Sequence, residues 1–250
     1  MSHDSMIITG DCIKEMDNLH CQREKFDLIV VDPPYNQGVD YGGGEKEDNL
    51  PHLAYHRWCE EWMDLAAMDL IAGHGSMWII TPWQHSTMFT NFGRRAGLTL
   101  RNVIIWHETF GQYAQNNFGS CHRHLLYFTK SLKTFTFNAG AIRIESERQK
   151  QGDKRANPDG KIPGNVWEIP RLVGNSKERI KEVPTQLPLA LVRPIINACT
   201  NPNDRVLDPL CGSGTVGVEA VAALCDFTGI EKNPDFAKIA EDRIKKLTMP

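Results

Sequence analysis

The stretch VLDPLCGSGT at residues 206–215 carries the strongest structural signal in this chain of 250 residues. Val206 and Leu207 belong to a short apolar run that predicts a strand over residues 205–208. Gly212 and Gly214 then allow a tight turn in which the backbone can approach a ligand closely. A helix is predicted over residues 213–224, so the local order is strand, glycine-rich turn and helix.

Two carboxylates accompany this turn. Glu231 follows the next predicted strand, residues 226–230, in the place where an acidic side chain can hold two ribose hydroxyl groups. Three glycines beginning at Gly212 also match the Gly-x-Gly-x-x-Gly pattern, so a nicotinamide or flavin dinucleotide is an alternative ligand. Asp208 favours a different ligand, because a carboxylate before the glycines suits an ammonium group and would repel a pyrophosphate.

A second motif, Asp32-Pro33-Pro34-Tyr35, follows the predicted strand Phe26–Val31. The strand is short, continuous and apolar, which is typical of a strand buried in a parallel sheet. Two prolines stiffen the turn because each fixes its φ angle. A rigid strand end without further function is the alternative interpretation of such a turn.

The four residues of this motif suit chemistry on an amine attached to an aromatic ring. The lone pair of such an amine is delocalised into the ring, so its hydrogens must be held by fixed acceptors before the nitrogen can react. The Asp32 carboxylate and the Pro33 carbonyl are two such acceptors on a stiff turn. Tyr35 offers a flat face on which an extruded base can stack.

Strand-like and helix-like segments alternate along most of the chain. The predicted strands are residues 26–31, 76–80, 100–106, 124–129, 205–208 and 226–230, and the predicted helices are residues 52–72, 84–96, 187–199, 213–224 and 236–247. This alternation predicts an α/β fold with a largely parallel sheet covered by helices on both faces. Strands 100–106 and 124–129 are expected to pair with each other through a long loop. Both motifs follow strand carboxyl ends, where ligands bind in such folds.

The overall composition favours one globular domain over residues 1–250. Hydrophobic residues make up 41% and charged residues 24% of the chain. No apolar run is long enough for a membrane span and no secretion signal is visible, so we expect a cytoplasmic protein without membrane association. The seven cysteines form no Cys-x-x-Cys pair and are expected to be reduced, and no metal site is predicted.

The polar segment 139–183 interrupts the alternation of strand-like and helix-like segments, and its charge differs from that of the rest of the chain. Its stretch from Arg143 to Lys181 holds ten basic and six acidic side chains, a balance of +4 in a chain of net charge −3. A basic surface for nucleic acid and a solvated loop of mixed charge are both compatible with this composition.

The two motifs, in this order, resemble those of the beta-group DNA amino-methyltransferases, and the resemblance covers nearly the whole chain. Asp32–Tyr35 resembles the catalytic tetrapeptide, and residues 208–215 with Glu231 resemble the cofactor site. Shorter matches are Gly10-Asp11-Cys12, Ile104–Trp106, His122–Lys130 and Pro184–Gln186. Two departures are Val183, where the family often has histidine, and Leu187, where it often has lysine.

The resemblance implies a Rossmann-like S-adenosylmethionine-dependent methyltransferase fold. It implies a mostly parallel seven-stranded sheet with one antiparallel hairpin, in the permuted motif order of this group. The segment 139–183 would be an inserted target-recognition region. DNA would dock there through its phosphates, and one base would be flipped into the pocket beside Tyr35.

The site residues that the resemblance implies fall into two groups. The catalytic residues would be Asp32, Pro33, Pro34 and Tyr35. The residues that bind S-adenosylmethionine would be Asp11, Cys12, Asp32, Thr185, Gln186, Asp208, Pro209, Cys211, Gly212, Ser213, Gly214, Thr215 and Glu231. The stretch Gln37–Leu50, which contains three consecutive glycines, is interpreted either as a mobile lid or as an ordinary surface loop.

Adenine N6 is the expected methyl acceptor, because resembling enzymes that modify cytosine N4 more often carry serine in place of Asp32. Cytosine N4 and a catalytically silent, methylase-like DNA-binding subunit remain as alternatives. The resemblance also leaves open a homodimer and a companion restriction endonuclease in the same bacterial or phage-infected cell, with the protein associated with the nucleoid.

Overall fold

A single mixed sheet of eight strands forms the centre of the protein. The computed structural model describes residues 4–109 and 115–248, and the following statements concern that part of the chain. The strands are β1 (Ser5–Thr9), β2 (Phe26–Val31), β3 (Ile71–Thr81), β4 (Thr99–His107), β5 (His122–Thr129), β6 (Val166–Glu168), β7 (Arg205–Asp208) and β8 (Asp226–Glu231). Their order across the sheet is β1-β8-β7-β2-β3-β5-β4-β6, and only β5 runs antiparallel to its neighbours.

Helices cover both faces of this sheet. They are α1 (Cys12–Cys21), α2 (His52–Asp64), α3 (Trp83–Arg95), α4 (Glu147–Lys150), α5 (Leu189–Cys199), α6 (Thr215–Ala222) and α7 (Pro234–Thr248). The first three pack on one face, around Ile29, Val31 and Met77, and α5, α6 and α7 pack on the other, around Val30 and Val206. Residues 28–31 of β2 alternate between these two cores, which explains why this part of the strand is apolar on both faces.

The predicted fold class is confirmed. Each strand expected from the sequence is present, and the antiparallel pair forms as expected, with Val103 opposite Leu126 and Ile104 opposite Leu125. Within the described residues, every helix is too short or too polar to span a lipid bilayer.

The sheet has eight strands rather than the expected seven. The additional strand, β6, runs parallel to β4, with Val166 opposite Ile105. It is three residues long and comes from the polar segment 139–183, where no apolar run marks a strand. Tertiary contacts hold it at the sheet edge, because Nε1 of Trp106 donates a hydrogen bond of 2.7 Å to the carbonyl of Ile169.

The other differences concern elements with a weak apolar pattern. Neither β1 nor α1 was predicted. β1 gives a weak apolar pattern because it is a short edge strand that is only partly buried. β3 begins at Ile71 rather than at residue 76, and the preceding helix ends at Asp64 and continues as a π-type turn over residues 65–70. The first residues of β3 were not predicted as a strand because they include Gly73 and Gly75, and glycine is depleted in strands.

The connections on either side of β2 and β7 run in opposite directions. β2 continues through α2 to β3 on one side, whereas β7 continues through α6 to β8 on the other. β2 and β7 are themselves hydrogen-bonded neighbours, with Leu28 opposite Val206 and Ile29 opposite Leu207. Such a reversal opens a crevice at the carboxyl ends of the two strands, where open α/β sheets bind ligands.

The polar segment 139–183 has two parts in the structure. Its first part is an excursion closed at the base by two backbone hydrogen bonds of 2.9 Å between Ile144 and Lys161. This excursion contains α4, whose N-terminus is capped by Ser146 in a capping box with Gln149. The second part returns along the sheet edge as β6 and then passes the crevice.

Helix α6 packs closely against the sheet at Gly217. At Gly217, a Cβ atom would lie 2.4 Å from Cε1 of Phe227 and 2.5 Å from Cδ1 of Ile244. Alanine is favoured over glycine in a helix by about 1 kcal/mol, but overpacking a core costs about 1–3 kcal/mol. We therefore expect Gly217→Ala to lower the free energy of unfolding, as measured by urea denaturation.

Gly140→Ala is the control, because a Cβ there meets no atom of the described chain within 4 Å. The control should unfold at the wild-type urea concentration. If Gly217→Ala proves as stable as the control, then α6 does not pack this closely on the sheet.

Candidate active site

Both sequence motifs open into one cavity of about 1150 Å³ at the carboxyl edge of the sheet. Asp32 stands at the end of β2 and Asp208 at the end of the neighbouring β7, so the cavity occupies the crevice between them. The predicted site residues that line it are Asp11, Cys12, Asp32, Pro33, Pro34, Tyr35, Thr185, Gln186, Asp208, Pro209, Cys211, Gly212, Ser213, Thr215 and Glu231. Gly214 is the predicted site residue that does not.

The turn after β2 is held by the helices that follow it in the chain. The Tyr55 hydroxyl of α2 donates a hydrogen bond of 2.8 Å to the carbonyl of Pro34. Nε2 of His85 in α3 lies 3.1 Å from the carbonyl oxygen of Tyr35. These contacts occupy the carbonyl groups of Pro34 and Tyr35, the last two residues of the tetrapeptide.

Two acceptors of the tetrapeptide are left without a donor. The Tyr35 hydroxyl donates to Oδ1 of Asp32 at 2.5 Å. Among residues 4–109 and 115–248, no hydrogen bond reaches Oδ2 of Asp32 or the carbonyl oxygen of Pro33. Both residues line the cavity, so two acceptors remain available there to the hydrogens of a ligand.

Asn36 and Asp48 complete the turn beyond Tyr35. Asn36 adopts a left-handed conformation with φ of 59°, which asparagine tolerates better than most residues. Its side chain exchanges two hydrogen bonds with the backbone of Leu50. The buried Asp48 carboxylate accepts hydrogen bonds from the amides of Asn36, Gln37 and Val39. Asp48 was missed in the sequence because its partners precede it by about ten residues.

The glycine turn after β7 has a different role at each glycine. Gly212 has φ of 49°, and a Cβ there would meet no atom of the described chain within 4 Å, so its backbone faces open space in the cavity. Gly214 has φ of 75°, and a Cβ there would lie 2.8 Å from Cβ of Ala240 in α7. Gly214 therefore permits close helix packing, and Gly212 leaves room for a ligand.

Glu231 ties the end of β8 to this turn. Its Oε2 accepts a hydrogen bond of 2.8 Å from the Gly212 amide, and its Oε1 accepts one of 2.8 Å from the Asn233 amide. Each carboxylate oxygen can accept a further hydrogen bond. The carboxylate is thus held in a fixed orientation with free lone pairs, as the predicted ribose contact requires.

Three carboxyl groups give the cavity a negative character. Burial raises the pKa of Asp208 well above its usual range, and repulsion from Asp32 and Glu231 adds to this effect. Burial raises the pKa of Asp32 to about 6, and it also raises the pKa of Glu231. A cationic ligand would relieve this repulsion, whereas a pyrophosphate would increase it.

The hydroxyl groups of Ser213 and Thr215, in the glycine turn, lie close to Arg243. Nη1 of Arg243, in α7, donates to the Ser213 carbonyl at 2.6 Å and lies 3.0 Å from the Ser213 hydroxyl. The same nitrogen lies 3.3 Å from the Thr215 hydroxyl. Arg243 was not predicted as a site residue, because its position near the end of a helix resembles that of an ordinary surface cation.

The remaining predicted cofactor residues form the rim of the cavity. The Asp11 carboxylate caps α1 by accepting from the amides of Ile13 and Lys14, and Cys12 is buried behind it. The Gln186 side chain bridges the backbone of Glu178 and Ile180, which shapes the segment before α5. These contacts give Asp11 and Gln186 structural roles. Their contacts with a cofactor stay predictions.

The stretch Gln37–Leu50 forms one wall of the cavity rather than a detached loop. Nζ of Lys232 lies 3.1 Å from both carboxylate oxygens of Glu47. Nδ2 of Asn233 donates a hydrogen bond of 2.9 Å to the carbonyl of Tyr41. The stretch is therefore linked at two points to the end of β8, beside Glu231.

The sequence of this chain matches the family model described as DNA methylase over residues 26–242. The match includes both motifs that line the cavity. The chain belongs to the DNA methylase family.

Named relatives of this methylase agree with the family. The DNA adenine methyltransferase YhdJ of Escherichia coli (strain K12) is 34% identical, over 95% of this chain and 82% of that protein. The type II methyltransferase M.HpaI of Haemophilus parainfluenzae is 33% identical, over 96% of this chain and 74% of that protein.

Solved structures share the fold. The structure titled M1.HpyAVI-SAM complex has a TM-score of 0.70 and 24% identity, and covers 96% of this chain and 98% of that one. PvuII DNA methyltransferase, which is titled cytosine-N4-specific, has a TM-score of 0.69 and 17% identity, and covers 97% of this chain and 87% of that one. The expectation of a DNA methyltransferase that uses S-adenosylmethionine is confirmed.

The methylase cavity fits this cofactor. S-adenosylmethionine carries a positive ammonium and a positive sulfonium group, which match the negative cavity. Asp208 and Glu231 would hold its amino-acid and ribose parts, beside the open backbone of Gly212. The sequence therefore identified the groups that could bind it, and the residues that support them became visible only in the structure.

Glu231→Gln tests the assignment of the ribose contact. Glutamine keeps the size of the side chain but removes the charge and one acceptor oxygen. A hydrogen bond to a charged group contributes about 1.5–3 kcal/mol, so we expect the methylase to bind S-adenosylmethionine roughly 10- to 100-fold more weakly in isothermal titration.

Glu241→Gln provides the matched control, since Glu241 is paired with Lys238 and Lys245 on α7 outside the cavity. It should bind the cofactor with the wild-type Kd. An unchanged Kd for Glu231→Gln would remove Glu231 from the cofactor site.

Proposed function

We propose that this methylase transfers a methyl group from S-adenosylmethionine to the N6 amine of adenine in DNA. The observation that carries this proposal is the pair of unfilled acceptors, Oδ2 of Asp32 and the carbonyl oxygen of Pro33. An exocyclic amine has two hydrogens, which is the number that these acceptors can take. The stiff proline turn and the contacts from Tyr55 and His85 hold the acceptors in place before the base arrives.

The acceptors act by changing the hybridisation of the amine. While both hydrogens are held out of the plane of the ring, the nitrogen lone pair is less delocalised and can attack carbon. Tyr35 lies beside Asp32, so a flipped base can stack on its ring while its amine meets the carboxylate. The base must leave the duplex for this, which costs a few kcal/mol and is offset by these contacts.

When bound, S-adenosylmethionine supplies a methyl group whose bond to the sulfonium sulfur breaks as the new carbon–nitrogen bond forms, with the electron pair remaining on sulfur. The methylated amine then carries one proton too many. The Asp32 carboxylate, which would accept a hydrogen bond from this nitrogen, can take the proton and pass it to solvent. Its pKa of about 6 leaves it mostly ionised at neutral pH, so it is available as an acceptor.

Two observations support adenine over cytosine. The tetrapeptide begins with Asp32, whereas resembling cytosine-N4 enzymes more often begin with serine. The relative YhdJ, which is 34% identical, is named a DNA adenine methyltransferase. Cytosine N4 is the second candidate, because the neighbour PvuII methyltransferase is titled cytosine-N4-specific and shares this fold.

We propose that the segment 139–183 is the target-recognition region. Its excursion between Ile144 and Lys161 exposes Arg148 and Lys154. Its returning part brings Arg171 and Arg179 to the lining of the cavity. One continuous segment thus joins exposed basic side chains to the lining of the cavity. A companion restriction endonuclease and a homodimer stay predictions.

Asp32→Ala tests the proposed catalytic role. Removal of one fixed hydrogen-bonding group from a transition state typically costs about 100- to 1000-fold in rate, so we expect a loss of this size in tritium transfer from labelled cofactor to DNA. Binding of S-adenosylmethionine, measured by isothermal titration, should remain within about threefold of wild type, since Asp208 and Glu231 supply the main proposed cofactor contacts and Asp32 only an additional one.

Asp17→Ala is the control, because Asp17 is an exposed residue of α1. Full transfer activity in Asp32→Ala would overturn the role of Asp32. Mass spectrometry of nucleosides from DNA methylated by the wild-type enzyme identifies the base. N6-methyladenine is expected, and N4-methylcytosine in its place would establish the second candidate.

The double variant Arg148→Gln/Lys154→Gln tests the recognition region. If both side chains contact phosphates, the KM for DNA should rise while kcat is retained. The slope of log Kd for DNA against log salt concentration should then fall by about two. Lys246→Gln, at the far end of α7, should leave both values unchanged, and an unaltered salt dependence in the double variant would exclude this surface from DNA binding.

A further inference from the structure

Arg123 is a cation placed among the carboxylates of the cavity. It is on β5, opposite Trp106 of β4, and its side chain is 22% exposed. Its Nη2 lies 3.7 Å from Oε1 of Glu108, a residue that follows β4 and is almost completely buried. Both residues line the cavity, although neither belongs to the two sequence motifs.

The Arg123 guanidinium lies against the catalytic tetrapeptide. Its central carbon is 5.1 Å from the centre of the Tyr35 ring, within the range of a cation–π contact. The hydroxyl of the same ring donates to Asp32 at 2.5 Å. The ring that is to support the base is therefore fixed at its face by Arg123 and at its tip by Asp32.

We propose that Arg123 is a positioning residue for methyl transfer, which holds the Tyr35 ring against Asp32 and supplies the positive charge that keeps the Asp32 carboxylate ionised. The proposal depends on the catalytic role proposed above for Asp32. Glu108 has the opposite electrostatic effect, because it places a second negative charge near the same carboxylate.

The charges around Asp32 act in opposing directions. Within the described residues, the charged and titratable groups that face it are Tyr35, Tyr41, Glu108, Arg123 and Asp208. Burial raises the pKa of Asp32, the Tyr35 hydrogen bond and the charge of Arg123 lower it, and the charge of Glu108 raises it. Arg123 is the cation whose charge lowers the pKa of Asp32, although Arg171 and Arg179 also line the cavity. Its removal therefore takes away the charge that opposes the effect of Glu108 on Asp32.

The sign of the pH dependence follows from the acceptor role. Asp32 must be unprotonated to accept hydrogen bonds from the amine, so transfer should fall as the pH drops through about 6 in the wild-type enzyme. Loss of Arg123 raises the pKa of Asp32, so the fall should occur at a higher pH. Loss of the Glu108 charge should move it to a lower pH.

The test is the single-turnover rate of tritium transfer to DNA between pH 5 and pH 9, with cofactor and DNA saturating. An opposite charge at close range shifts a carboxyl pKa by about 1–3 pH units. For Arg123→Met we therefore expect the midpoint of the acid limb to rise by at least about one unit. At pH 6 this shift alone makes transfer roughly fivefold slower, and its effect disappears near pH 9, where the loss that remains should equal that of Arg123→Lys.

Glu108→Gln should shift the midpoint downward, and this opposite direction separates the electrostatic effect from general damage to the fold. Arg123→Lys should keep the wild-type midpoint because it keeps the charge. It should nevertheless lower the rate at every pH, because the compact ammonium lacks the planar surface that packs on Tyr35. Together the two Arg123 variants distinguish its charge from its packing.

Arg101→Met is the matched control, because Arg101 also covers an aromatic ring, with 4.3 Å to the centre of Phe135, but does not line the cavity. Its pH profile should equal that of wild type. An unmoved midpoint in Arg123→Met, or a shift in the same direction in Glu108→Gln, would overturn the proposal. If Asp32→Ala is inactive while the Arg123→Met midpoint is unmoved, the role of Asp32 stands and only that of Arg123 fails.

Discussion

The hydrogen-bonded contact between β2 and β7 is the constraint on which the rest of the site depends. It joins parts of the chain that are nearly 180 residues apart in sequence, with Leu28 opposite Val206 and Ile29 opposite Leu207. Because both strands are parallel and neighbouring, the turn that begins at Asp32 and the turn that begins at Asp208 must emerge at the same edge. The chain then departs in opposite directions from the two strands, which leaves the crevice open between them. A cofactor and a base can meet there without any further rearrangement of the sheet.

The chemistry of this crevice follows from its unbalanced charge. Asp208 is close enough to Asp32 and to Glu231 for their charges to repel its own, and burial raises the pKa of all three carboxyl groups. This repulsion lowers the stability of the protein without ligand. A cationic ligand relieves the repulsion when it binds, so the same carboxyl groups that lower the stability raise the affinity for that ligand. Asp32 differs from the other two carboxyl groups because a cation, Arg123, favours its ionised form, whereas backbone amides do so at Asp208 and Glu231. The cofactor can thus neutralise one side of the cavity while an acceptor remains on the other.

The sequence predicted the fold class and the main site because those features are encoded locally. Apolar runs identified six of the eight strands. The proline turn after β2 and the glycine-rich turn after β7 identified the two sides of the crevice. β6 was not predicted because three residues carry too little apolar pattern, and its position depends on the contact between Trp106 and Ile169.

Asp48, Arg123 and Arg243 were not predicted as site residues for a related reason. Each acts on a partner in another element, and no spacing along the chain reveals that contact. Gly214 was grouped with ligand-binding residues from the motif, whereas the structure places it against Ala240.

The supporting residues explain why an intact tetrapeptide is necessary for this chemistry but insufficient by itself. Pro34 and Tyr35 have carbonyl groups that would otherwise compete for the same donors, and Tyr55 and His85 occupy them. Asn36 and Asp48 hold the following turn in the wall of the cavity without occupying Oδ2 of Asp32 or the carbonyl of Pro33. A chain with the same four residues but without these contacts would present the acceptors in variable directions, and the amine would lose the fixed geometry that its rehybridisation needs.

A methylase-like subunit without activity can therefore arise through changes in α2, α3 or β5 that leave both motifs unaltered. In this chain the supports and the motifs are present together, which favours an active enzyme over a silent binding subunit.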